Sequence, residues 1–207
     1  MKDTYLTIDL DFWNNRDLDT KWLNTIATLP VTKYAVEHHH HIIPHVNAVN
    51  TKRIINVDYH ADICDDLPDM KLECGTWGNY ISWAEQGKFL WIYPNEDCAN
   101  SEYYNNRYQN GRYKPCYGHG TCHSRNSPFS KRKQYNKWPL GKCIRRLEPV
   151  PNLDLKRIAY VSFCTSPDFR HSELQEPWDE FIKDNNIPWI KTSKEIIIPT
   201  LDQWNNI

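Results

Sequence analysis

Two hydrophobic periodicities alternate along this chain, and that alternation narrows its fold more than any other feature. "TYLTIDLDF" (Thr4 to Phe12) is β-branched and aromatic and reads as a strand buried on both faces. "DLDTKWLNTIATL" then places Leu18, Trp22, Ile26 and Leu29 on one helical stripe, behind acids that suit a helix start. "VTKYAVE" (Val31 to Glu37) predicts a second strand, and "IIPHVNAVN" a short helix that tolerates Pro44 in its first turn. "RIINVD" (Arg53 to Asp58) predicts a third strand. A helix over about Asn79 to Gln86, stopped by Gly87, and a strand in "KFLWIYP" continue the series. Strand alternating with helix implies the α/β class, with an open, mostly parallel sheet flanked by helices.

The rhythm stops at about residues 95–142, which are rich in Asn, Tyr, Arg and Lys. An irregular stretch of that length in a compact domain is usually functional or separately braced. The rhythm returns with "RIAYVSF" (Arg157 to Phe163), a helix from Pro177 to Asp184 and a short strand at "IPWIK". We therefore expect a single domain over residues 1–207 carrying one long irregular insertion.

Composition excludes several classes. With 207 residues the chain can bury a real core. Lys and Arg number 25 against 26 Asp and Glu, so net charge selects no partner. Nine Trp and 12 Tyr against 7 Gly describe a folded chain rather than a low-complexity one. No apolar run approaches the roughly 20 residues of a membrane helix, and acids interrupt the N-terminus from Asp3 onward, unlike a signal peptide. A soluble, cytoplasmic protein is the expectation. Seven cysteines, an odd number, then fit thiols or metal ligands better than a disulfide framework.

Each of the first three strands ends in ionisable groups: Asp9 and Asp11, then the run His38 to His41, then Asp58, His60 and Asp62. Parallel strands bring their carboxyl ends to one edge of an open sheet, where ligands bind. Residues two apart in an extended segment point the same way, so each set can grip one object if the chain stays extended. Four carboxylates crowded together need positive charge between them. Two divalent ions cancel four Asp. Ligation rich in oxygen with a minority of imidazole favours manganese over zinc, with iron, cobalt and nickel as alternatives. A single Asp-x-Asp often only caps a helix, so the weight lies on the three sets together.

At these residues the chain resembles the ureohydrolase-like superfamily of arginase, agmatinase and related deacetylases. "VDYHADI" resembles its Asp-x-His-x-Asp motif, "TIDLDF" its Asp-x-Asp motif, and "VEHHHHIIPHV" the segment that supplies a lone histidine ligand. The last has the form of the peptide-arginase branch, and alignment on Pro44 puts His39 at the ligand position. "VSFCTSPDF" resembles a Ser-Pro segment of that branch (Ser166, Pro167). Two departures stand out. The Asp-x-Asp pair precedes the Asp-x-His-x-Asp motif instead of following it, as a circular permutation would arrange. Cys64 stands where arginase has a substrate-contacting Asn, so the contacts of free-arginine enzymes do not carry over.

The resemblance implies an arginase-like fold and two Mn2+ bridged by Asp9 and Asp58. His39 and Asp62 complete one coordination shell, and His60 and Asp11 the other. It implies ions about 3.5–4 Å apart that share an activated water. The substrate is a guanidino group, with arginine inside a peptide or protein favoured, and the products are urea and ornithine. Departure of the amine needs a proton donor, for which His41, His38 and Glu73 are the candidates, His41 first. Trp77 and Asn79, in "CGTWGNYISW", are candidates to wall the substrate pocket.

In the irregular stretch, "CYGHGTCH" sets Cys116, His119, Cys122 and His123 between the flanking Cys98 and Cys143. Cys116, His119, Cys122 and Cys143 could form a structural zinc site, with ordinary reduced cysteines as the plainer reading. "SRNSPFSKRKQYNKW" mixes basic and aromatic residues; a solvated loop face is the plainer account, and nucleic acid is disfavoured. Two other readings stay open on the residues alone: a deacetylase-type amidohydrolase, and a nucleic-acid- or protein-binding module with a structural metal centre.

Overall fold

A computed structural model describes residues 2–49, 51–60, 62, 77, 88–94 and 144–190. Its centre is a six-stranded sheet: β1 (Thr4–Asp9), β2 (Thr32–Val36), β3 (Arg53–Val57), β4 (Lys88–Tyr93), β5 (Ile144–Leu147) and β6 (Ile158–Cys164). The order is β2-β6-β1-β3-β4-β5, and every neighbouring pair is parallel. The expected α/β architecture with a parallel sheet is what the described residues adopt. Among them no helix is long and apolar enough to cross a membrane.

β1 is buried along its whole length, as a strand covered on both faces must be. Its alternate side chains feed two cores. Leu6 and Ile8 join Leu23, Ile26, Trp178 and Phe181 on one face. Tyr5 joins Tyr34, Ile42, Val46, Trp77 and Trp91 on the other. Helix α1 (Thr20–Ala27) begins at Asp19, whose carboxylate accepts the Trp22 backbone N–H at 2.9 Å. It buries Leu23, Ile26 and Ala27, while Leu18, Trp22 and Leu29 of the expected stripe pack at the margin. Helix α2 (Ile43–Ala48) carries Pro44 in its first turn, where a missing N–H costs no bond. Helix α3 (Gln175–Asp184) starts two residues before the expected Pro177, which also falls in the first turn.

Two local differences from expectation have physical causes. β5, "IRRL", escaped notice because it is short and basic; it lies at the sheet edge, where charge is common. "IPWIK" makes a single parallel bridge, Trp189 to Ala35, flanking β2. The expected helix over Asn79 to Gln86 and the 95–142 insertion lie outside the described residues.

The chain leaves β1 toward β2 on one side and returns to β3 on the other. The crevice beyond the carboxyl ends of β1 and β3 is therefore a topological switch point, where such sheets bind ligands. β6 lies between β1 and β2, so anything reaching from β2 to β1 must pass over its end.

Candidate metal centre

Asp9 closes β1, and Asp11 sits in the short 3-10 helix Leu10–Trp13 that follows. The extended geometry expected for this pair gives way to a turn, because Asp9 Oδ1 accepts the backbone N–H of Asp11 at 3.0 Å. The same happens after β3. Asp58 accepts the backbone N–H of His60 at 2.7 Å, and Asp62 has φ 51°, a left-handed conformation. Tight turns, rather than straight extension, aim these side chains inward.

They converge nonetheless. His39, fully buried at the start of a short 3-10 helix after β2, faces three carboxylates with one nitrogen. Its Nδ1 lies 2.9 Å from Asp62 Oδ2, 3.0 Å from Asp9 Oδ2 and 3.3 Å from Asp58 Oδ2. His60 Nδ1 lies 2.7 Å from Asp11 Oδ2. Ligand atoms of Asp9, His39, Asp58 and Asp62 lie within 4.8 Å of one another, and so do those of Asp11, Asp58 and His60. Asp58 belongs to both sets, whereas Asp9 joins only the first. All six residues singled out as metal ligands thus come together, with Asp58 best placed to bridge.

The electrostatics of the cluster suit a bound cation. Asp9, Asp11 and Asp58 are each 1 % exposed and Asp62 is 8 % exposed. Burial pushes the Asp11 carboxyl well above the usual carboxylate range, and the charges of Asp9, Asp58 and Asp62 push it further. Burial disfavours the imidazolium of His39, but the charge of Asp9 and hydrogen bonds to Asp58, Asp62 and Asp9 outweigh it and raise its pKa. Burial likewise disfavours the Asp58 carboxylate, yet the hydrogen bond and charge of His39 hold its pKa below the ordinary value. Without a metal, His39 is driven toward the imidazolium form by the carboxylates it faces. Two divalent ions would satisfy the donor set better, since both imidazoles could then be neutral ligands. The residues present fit such ions.

Around these residues stands a ring of supporting groups, of which the sequence singled out only Ser166, and that without a partner. Thr7 Oγ1 lies 2.8 Å from His39 Nε2, so an Nε2–H donated there leaves the Nδ1 lone pair facing the carboxylates. Asn56 Nδ2 donates to Asp58 Oδ2 at 3.0 Å, and Trp91 Nε1 donates to the Asp58 carbonyl at 2.9 Å. Ser166 donates its hydroxyl to Asp9 Oδ2. Cys164, at the end of β6, has Sγ within 4.8 Å of ligand atoms of Asp9 and His39. Thr7 and Asn56 had a readable signal: each is a polar residue in an apolar strand, two positions before a carboxylate and on its face.

The remaining candidates divide. Trp77 is fully buried, donates Nε1–H to Asp62 Oδ2 at 2.5 Å and packs its ring 4.7 Å from that of His39. It backs the ligands from inside. His41 is half-buried in a cluster with His38 and His40, with ring centroids 5.3 and 4.4 Å away. Burial, and then the charge of His38, lower its pKa. Glu73, Asn79, Cys98, Cys116, His119, Cys122, His123 and Cys143 lie outside the described residues.

No family model matches this chain, and no curated protein or solved structure matches it.

Proposed function

We propose that the chain is a dinuclear-metal hydrolase of guanidino carbon–nitrogen bonds, with two manganese ions, that converts arginine within a peptide or protein to ornithine and urea. The observation that carries this reading is the position of Asp58, shared between a buried set with Asp9, His39 and Asp62 and a more open set with Asp11 and His60. Two adjoining ligand sets on one carboxylate are what a pair of ions requires. The motif resemblance to the ureohydrolase-like superfamily supplies the substrate class, and the arginase-like form of the fold belongs to the same proposal.

When bound, such a pair provides a water that ionises near neutral pH and positive charge beside the reacting carbon. The chain's own residues do the rest. Asp58 joins the two sets, and Thr7 and Asn56 hold His39 and Asp58 in orientation. The His60 side chain is 34 % exposed, against full burial for His39, so substrate approaches from the His60 side. Four carboxylates against two divalent ions and one hydroxide leave the centre net negative, which favours a cationic guanidinium over a neutral amide.

Incubation of the manganese-loaded protein with varied arginine-containing peptides should release urea and leave ornithine in the peptide. The Asp58→Asn variant should lose both the activity and the paired ions. Manganese-loaded protein that yields neither product across such a panel would refute the substrate assignment.

A further inference from the structure

Ser166 is placed as no ordinary loop residue is. It follows β6, the strand wedged between β1 with Asp9 and β2 leading to His39. It is 1 % exposed and holds φ 42°, a left-handed conformation that residues with a Cβ avoid. Its backbone is fixed from both sides. The Ser166 N–H donates to the Glu37 carbonyl at 2.9 Å, and its own carbonyl accepts from Phe169 N at 3.0 Å and Arg170 N at 3.2 Å. Backbone strain held in place at a polar cluster is a reason to ask what the side chain does there.

That side chain donates to Asp9 Oδ2, while Oδ1 of the same carboxylate accepts from the Asp11 backbone. Among the described residues, Ser166 is the one donor to Asp9 from outside the candidate ligand set and its own turn. The loop it opens also reaches the second ligand set, because the Phe169 ring packs edge-on against His60 with centroids 5.6 Å apart. Asn14 secures that loop by donating to the Phe169 carbonyl at 2.9 Å and accepting from His171 N at 2.9 Å. One braced loop thus touches a ligand in each half of the centre.

We propose that Ser166 is a positioning residue whose hydroxyl sets the orientation of the Asp9 carboxylate and so the affinity of the ion held with His39. This rests on the two-ion reading above. Partners that orient a metal ligand typically contribute 10- to 100-fold in affinity.

The test uses Ser166→Ala, which removes the hydroxyl, and Ser166→Gly, which removes it and also relieves the left-handed backbone. Manganese binding is followed by calorimetric titration, and coupling of the ion pair by electron paramagnetic resonance. Both variants should bind the tighter ion about 10- to 100-fold more weakly and should change the coupled signal. Wild-type affinity in both variants would overturn the proposal. Weakened Ser166→Ala beside wild-type-like Ser166→Gly would overturn it as well, because backbone conformation would then be the cause. Wild-type protein that takes up no ion pair would instead remove the dinuclear reading itself, and this proposal with it.

Discussion

Single residues in the centre make the metal-free protein sensitive to pH in a defined direction. Asp11 and His39 both have folded pKa values raised above their ordinary ones. Each therefore holds its proton more tightly when folded. The stability each contributes is complete below its unfolded pKa and is lost as pH rises through its folded pKa. Asp58 shifts the opposite way, so its contribution is present above the ordinary carboxylate pKa and lost on acidification below it. In chelator, the urea midpoint should fall as pH rises from the ordinary carboxylate range through the raised pKa values of Asp11 and His39. Saturating manganese should abolish or reverse that slope, because ions replace protons as the counter-charge. A midpoint that rises with pH in chelator would contradict this proton assignment.

Elements, rather than residues, decide how accurately these groups are held. α3 lies over the sheet through Trp178, which is fully buried against Trp13, Phe163 and Phe181 at centroid separations of 6.2, 6.0 and 5.7 Å. Trp178→Ala should cost about 3–5 kcal/mol by urea unfolding, and a loss under 1 kcal/mol would show that α3 docks by other contacts. The strands and helices of the first third were legible because their periodicities differ and because one face of each must be buried. The ligands were legible because acids and imidazoles are costly at strand ends without a partner. Their geometry was not. "DLDF" and "DYHAD" carry alternation that suggests straight strands, whereas carboxylates capping nearby N–H groups fold both into turns. The partner of Ser166 was equally hidden, since its contact with Asp9 spans 157 positions and depends on which strand β6 joins.

Over the whole molecule, the centre gathers candidate ligands from three separate chain segments, which ions held there would tie together. Ions that bind only the native state stabilise it by mass action, about 2.7 kcal/mol at a hundredfold excess over the dissociation constant. The thermal midpoint should accordingly climb with manganese concentration in wild-type protein and stay level in Asp58→Asn. A midpoint indifferent to manganese in both would argue against tight native-state ligation. The place of β6 has a further consequence, for synthesis. Every ligand has been translated once residue 62 is made, yet the strand that separates β1 from β2 arrives about a hundred residues later. On the two-ion reading, a nascent chain emerging from the ribosome carries the proposed ligands long before β6 is made, and metal capture would wait for that late strand.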